Sequence, residues 1–267
     1  DWILHSFQRT SPLMGRKMLE VLSPARLAAL CRTKEASIGM VGQFNKVSHK
    51  LFRQQFLGQF TPEDMATIFN RSTLGAVGSF LKPRYFYFRQ SYQLFHDRFL
   101  KDHLQTESLE EIGKFLARIK QIPEVGDELV DDAISLLADV DMGERVASTD
   151  LKQFALLLYN TRAVHKSYLL QLMEPLMHPE IVREALAKSE LSSIQMLIHN
   201  VATIDSTPEK RYLQAIHDGL RAVDLKGSIA HADLSAKANF LANVASHIDQ
   251  ELAQEYRQLI ESQECTT

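Results

Sequence analysis

Apolar residues recur at helical spacing along nearly the whole chain, and the strict alternation of a half-buried strand is almost absent. The pattern predicts an all-α protein. Amphipathic helices are expected over 24–33, 62–69, 108–119, 150–159 and 192–203, with a second set over 85–100, 125–137, 165–177 and 208–220. A final helix, in one piece or two, is expected over 232–262. Ser23-Pro24, Thr61-Pro62 and Thr207-Pro208 each place a capping hydroxyl before a residue already fixed at helical φ. Ser108 with Glu111 and Ser206 with Glu209 have the capping-box spacing. Pro175 and Pro179 are expected to end one helix near Met177.

Laid over one another, the first set of helices aligns at Leu27, Met65, Ile112, Phe154 and Met196, and the second at Tyr92, Leu129, Leu169 and Tyr212. One apolar stripe per helix is too little for a pair to stand alone, so consecutive pairs must share a continuous core. The expected architecture is an α-solenoid of about five irregular helix-pair repeats with a C-terminal capping helix, all in one domain. Residues 1–22 form an N-terminal extension, 23–220 the helix pairs, 221–262 the capping helices and 263–267 a tail. A globular helical bundle is the alternative.

The units over 108–137, 149–177 and 192–220 resemble the octotricopeptide and heptatricopeptide repeats of organellar RNA proteins, those of the RAP and FAST-kinase-like type. Such repeats are also built into the ribosomes and RNA-processing assemblies of protist mitochondria. The resemblance covers about residues 60–220 and implies an organellar, RNA-associated protein. The chain departs from that pattern in its uneven spacing and in lacking a RAP-like domain after Leu220, which removes the basis for a one-nucleotide-per-repeat code.

Composition narrows the classes further. With 45% hydrophobic and 24% charged residues the chain is neither disordered nor collagen-like. Its longest uninterrupted apolar run is Phe154–Tyr159, far short of the ~20 residues a bilayer-spanning helix needs. Cys31 and Cys265 cannot build a disulfide framework or a four-ligand zinc site. The formal charge of −3 hides an asymmetry: residues 1–101 hold 15 Lys and Arg against 6 Asp and Glu, the remainder 15 against 27. A polyanion should prefer the first part. The first 19 residues, with Arg9, Arg16 and Lys17 against Asp1 alone, resemble the end of an organellar targeting segment.

The segment 82–101 interleaves aromatics with Lys82, Arg84, Arg89, Arg98 and Lys101, a mixture suited to stacking bases and neutralising phosphates. Phe88, Tyr92, Phe95 and Phe99 fall on one helical stripe and read as core. Tyr85 and Tyr87, near the helix start, are the freer aromatics. With Lys82, Arg84 and Arg89, and with Lys46, Lys50 and Arg53 just upstream, they form the candidate RNA contact. An ordinary solvated helix face is the competing reading of Lys46, Lys50 and Arg53.

Catalytic and metal signatures are missing. Asp139-Val-Asp141-Met-Gly143 begins like a calcium-binding loop but has Gly143 at the fifth position and Glu144 at the sixth, so it reads as a solvated link. The ten histidines lack metal spacing, His199 reading as a hydrogen-bonded packing residue. The glycines of 39–42 and 75–78 lack phosphate-loop spacing and suit turns or close helix contacts. Cys31 reads as a small core residue.

The expectation is a non-catalytic scaffold subunit of a mitochondrial ribonucleoprotein assembly, a ribosome or an RNA-processing complex in the matrix. It requires no cofactor, and its partners are other protein subunits and RNA. The alternative is a peripheral protein-interaction subunit of a respiratory or ATP synthase complex, without RNA contact. An enzyme with a site of scattered residues is the third reading.

Overall fold

The computed structural model describes residues 23–32, 36–39, 41–42, 50–162, 166–205 and 209–264, with the backbone alone at 50–53, 166–168 and 264. Among the described residues all regular structure is helical. The helices are α1 (Pro24–Cys31), α2 (Lys50–Leu57), α3 (Pro62–Asn70), α4 (Leu74–Leu81) and α5 (Tyr85–Phe95), which runs through a π turn (His96–Leu100) into α6 (Lys101–Thr106). There follow α7 (Leu109–Ile119), α8 (Gly126–Leu137), α9 (Met142–Ser148), α10 (Leu151–Thr161), α11 (Lys166–Met173) with its 3₁₀ turn (Glu174–Met177), and α12 (Pro179–Lys188). Then come α13 (Leu191–Ile204), α14 (Arg211–Ala222), α15 (Lys226–His231), α16 (Leu234–Asn243) with a π turn (Val244–Ile248), and α17 (Gln250–Glu264).

The caps read from the sequence are present where they are described. Ser23 accepts from the amide of Arg26 at 3.3 Å, and Thr61 and Asp64 exchange hydrogen bonds of 3.1 and 3.0 Å in a complete capping box. Ser108 accepts from the amide of Glu111 at 3.3 Å. The expected caps at 206–209 lie largely outside the described residues. Helices α2, α4, α6, α9, α12 and α15 were not among the expected segments. Helix α4 is buried on nearly every side, so it carries no amphipathic period to detect. Helix α12 opens on Pro179, read only as a terminator, and α9 occupies the expected solvated link.

Two compact units are distinguished, residues 1–107 with 114–137, and 108–113 with 138–267. In the first, α3 packs along α5 and α1 along α2. Phe69 sits in its core, with ring centroids 6.0 Å from Phe80 and 5.9 Å from Phe95. In the second, α10 packs along α13 and α13 along α16, while α9 packs along α12 and α12 along α14.

A register recurs inside these units. Helices α4, α7, α10, α13 and α16, every third one, all begin with leucine: Leu74, Leu109, Leu151, Leu191 and Leu234. In the first unit the fifth residue of α4, Gly78, lies so near α7 that an added Cβ would sit 3.2 Å from the Phe115 Cα and 3.0 Å from the Arg118 Cβ. These are the seventh and tenth residues of α7. In the second unit the fifth residue of α7, Gly113, meets the same two positions of α10, with 2.9 Å to the Leu157 Cα and 3.2 Å to the Asn160 Cβ. The fifth residue of α10, Ala155, offers its backbone oxygen to the tenth residue of α13, Asn200, at 2.8 Å. The seventh residues Phe115, Leu157, Leu197 and Phe240 are all fully buried, each burial contributing about 1.5–3 kcal/mol.

A second device recurs two residues before the leading leucine. Ser72 accepts from the amide of Ile38 at 2.8 Å, Glu107 from that of Leu74 at 2.9 and 3.1 Å, and Ser189 from that of Leu151 at 3.0 Å. Glu107 and Ser189 thus satisfy an orphan donor at the first residue of α4 and of α10, 33 and 38 residues earlier in the chain. Ser72 and Ser189 also donate to the carbonyls four residues before them, at 2.6 and 2.8 Å.

The anchors expected from the sequence match this register only in part. Ile112 and Phe154 are both the fourth residue of their helices. Met65 lies on α3, which packs along α5 and does not belong to the leucine-led series. Met196 is half-exposed, and the buried residue at the matching position is Ile194.

Candidate nucleic-acid interface

Helix α5 begins after the turn Lys82-Pro83-Arg84, where Arg84 donates its amide to the Leu81 carbonyl at 2.7 Å. Its first turn is offset from the rest by a non-helical backbone at Phe88 (φ −111°, ψ 20°). Tyr85, Phe88, Tyr92 and Phe95 point inward, with Tyr85 and Tyr92 ring centroids 5.7 Å apart. Phe86 and Tyr87 point outward and are 59% and 63% exposed. Such exposure of two adjacent large aromatics is unusual on a helix whose other face is well covered.

Of the stripe read from the sequence as core, Phe88, Tyr92 and Phe95 are buried, whereas Phe99, in the π turn, is only half-buried. Tyr85 corrects the expectation of a free aromatic: it is only 6% exposed. Burial raises its hydroxyl pKa above the usual phenol range, while the charge of Arg89 beside it pulls the other way. Tyr85 stands three residues before Phe88 and seven before Tyr92, so helical spacing already assigned it to the stripe. The same spacing leaves Phe86 off the stripe, and Phe86 is the exposed aromatic that the sequence pattern also offered in place of Tyr85.

The cations differ in their surroundings and exposure. Lys82 donates to the side-chain oxygen of Gln121, and the Arg84 guanidinium lies 4.9 Å from the centre of the Phe80 ring and donates to the Phe80 carbonyl at 3.2 Å. Both therefore help fasten the turn in place. Arg89 is exposed, as are Arg98 further along the π turn and Lys101 at the start of α6. The Tyr87 hydroxyl lies near Gly58, 4.0 Å from where its Cβ would stand, at the end of α2. That helix holds Lys50 and Arg53 and no acid, but their side chains, and all of Lys46, lie outside the described residues. From Met65 to His96 the sequence holds Arg71, Lys82, Arg84 and Arg89 and no Asp or Glu.

Acid is close by on α8. Glu128 and Asp132 act on Tyr85, pushing its hydroxyl further up, and α8 as a whole exposes Asp127, Glu128, Asp131 and Asp132. The region is thus a narrow basic and aromatic edge beside an acidic helix.

Burial pushes the Cys31 thiol up to about 12. His199 departs from the packing role expected of it: it is exposed, with its ring centroid 6.1 Å from that of His247. Burial, then the nearby His199 and Lys210, lower the His247 pKa. Asp141 caps α9 by accepting from the Glu144 amide at 2.9 Å. Among the described residues no group of three or more His, Cys, Asp and Glu side chains is placed to hold a metal ion, and no helix is long and apolar enough to cross a membrane. Compared with known proteins, the chain matches no family model, no curated protein and no solved structure.

Proposed function

We propose that the protein is a non-catalytic helical-repeat scaffold, an α-solenoid, serving a mitochondrial ribonucleoprotein assembly and holding single-stranded RNA on the edge formed by Phe86, Tyr87 and Arg89. The observation that carries this reading is the outward placement of Phe86 and Tyr87 beside an exposed arginine, in a stretch without acids. Aromatic faces accept any base, with stacking worth about 1–3 kcal/mol each, and Arg89 supplies charge to the backbone. The recurring leucine-led register supports the repeat reading, since three successive contacts, α4 with α7, α7 with α10 and α10 with α13, reuse the same helix positions. The organellar setting rests on the resemblance of the repeat units and on the basic N-terminal composition.

The test is equilibrium binding of the purified chain to an unstructured RNA at several salt concentrations. Affinity should fall as salt rises, with a slope of about −0.7 per phosphate contact. Phe86→Ala with Tyr87→Ala should weaken binding at least tenfold with the helical spectrum unchanged. Absence of binding at low salt would sink the reading. A second reading, a subunit that only docks proteins in a respiratory or ATP synthase complex, is favoured by the exposed acids of α8, which suit a basic protein neighbour. It expects no RNA affinity and expects charge reversal on α8 to release the chain from its particle.

A further inference from the structure

Among the described residues the exposed large aromatics are Phe86, Tyr87 and Tyr159, and each stands near an arginine in a stretch without acids. The first two belong to the first unit and to the edge described above. Tyr159 belongs to the second unit, near the end of α10, and is 45% exposed. Its helix turns Phe154, Ala155, Leu157 and Leu158 inward and packs along α13, so Tyr159 stands on the open side. From Leu151 to Met173 the sequence holds Lys152, Arg162 and Lys166 and no Asp or Glu. That is the longest acid-free stretch after Asp97, inside the part of the chain that carries most of the acid. The surroundings of Arg162 therefore do not follow the average charge that pointed a polyanion to the first part alone.

The Arg162 guanidinium lies 4.1 Å from the centre of the Tyr159 ring. The other arginines placed over rings are tied as well: Arg32 to Asp64, Arg84 to the Phe80 carbonyl and Arg211 to Glu174. Arg162 is exposed and, among the described residues, has no hydrogen-bond or ion-pair partner. Its N–H groups stay available to an anion while the ring steadies its flat face. The dipole of α10 accounts for a cation at the C-terminal cap, but not for a large exposed ring beneath it. Bases stack on aromatic rings and on guanidinium planes alike, and the fork of donors suits a phosphate.

We propose, resting on the RNA reading above, that Tyr159 and Arg162 form a second contact for single-stranded RNA, so that each unit of the chain holds part of the strand. Two contacts on one strand reinforce each other, because the first raises the local concentration of the strand at the second.

The experiment binds the full chain to a long unstructured RNA carrying thiouridine, cross-links by ultraviolet light and maps the attached peptides by mass spectrometry. The expected products are two segments, one with Phe86 and Tyr87 and one with Tyr159. In equilibrium binding, Tyr159→Ala with Arg162→Ala should weaken affinity at least fivefold, with helical spectrum and melting unchanged, and lower the salt slope by about 0.7 for one lost phosphate contact. Tyr159→Phe keeps the ring and should bind as the wild type does. A wild type that binds RNA and is weakened by Phe86→Ala with Tyr87→Ala, but not by the changes at 159 and 162, would overturn the second contact and leave the first standing. Cross-links confined to the first unit would do the same. A wild type without RNA affinity would sink both. Release of the chain from its particle by Tyr159→Ala, with RNA affinity kept, would make the pair a protein contact and overturn the proposal.

Discussion

Asn200 donates its side-chain amide to the backbone oxygen of Ala155 at 2.8 Å, with both residues buried where α13 crosses α10. The matching position of α10 is Asn160, which packs over Gly113, and that of α7 is Arg118, which packs over Gly78. A long polar side chain can therefore occupy the tenth position because a small residue opposite brings the neighbouring backbone within reach. Where the side chain is buried, as at Asn200, a hydrogen bond must satisfy it.

Asn200→Ala should lower stability by about 1–3 kcal/mol through the lost hydrogen bond and the space left behind. Asn200→Asp should lower it more, although it is nearly the same size, because a carboxylate has no donor and would face the Ala155 carbonyl in a dry contact. Urea unfolding followed by circular dichroism gives both values. Equal losses for the two variants would show that volume, and not the donated hydrogen bond, sets the contact.

Two glycines should respond to alanine in opposite directions. A Cβ at Gly113 would stand 2.9 Å from the Leu157 Cα and 3.1 Å from its carbonyl oxygen, backbone atoms that cannot swing aside. Gly113→Ala should force α7 from α10 and cost about 1–3 kcal/mol. Gly227 on α15 has nothing within 4 Å of that position and no left-handed backbone, so Gly227→Ala should stabilise by about 0.4–1 kcal/mol. Thermal melts of the two variants read the sign directly.

The helical class and the described caps were legible because they rest on local chemistry: a hydroxyl before a proline, an acid three residues after a cap. The series of leucine-led helices was not, although every member of it is in the sequence. Its first complete described member, α4, is apolar almost all round and so lacks a period, which pushed the alignment onto Met65 and α3. Its fourth member was misphased by two residues because Met196 is as apolar as Ile194, and only burial separates them. At the candidate interface the outward direction of Tyr87 was legible. The exchange of Tyr85 for Phe86 was missed because a helix start was taken as freedom, when the i, i+3, i+7 relation to Phe88 and Tyr92 had already fixed Tyr85 inward.

Ser189 links three segments: it accepts from the Leu151 amide, donates to the Ala185 carbonyl at 2.8 Å, and its backbone oxygen accepts from Ser228 at 3.0 Å. Ser189→Ala leaves the buried Leu151 amide without that acceptor and should cost about 1–3 kcal/mol. Hydrogen exchange should show the change at the start of α10, with the amide of Leu151 losing protection before those of the middle of the helix. Uniform loss along α10 would mean that the serine supports packing in general and not this donor.

Cys31 reports on the folding of the first unit through its ionisation. It is fully buried on α1, and burial raises its thiol to about 12, with the charge of Arg32 pulling weakly the other way. An acid whose folded pKa exceeds its unfolded one keeps its proton longer in the folded chain. Above the ordinary thiol range, near 8.5, the unfolded chain therefore sheds a proton that the folded chain retains, and stability falls with each further step in pH until about 12. In a Cys265→Ser background, wild-type Cys31 should lose more stability between pH 8 and pH 10 than Cys31→Ala, which has no thiol to ionise. Under native conditions at pH 8 a maleimide should label Cys31 only as fast as the region around α1 opens, and urea should raise that rate. Labelling at the rate of a free thiol in native buffer would mean that α1 does not hold Cys31 closed. In that case the two urea curves should show no pH-dependent difference either.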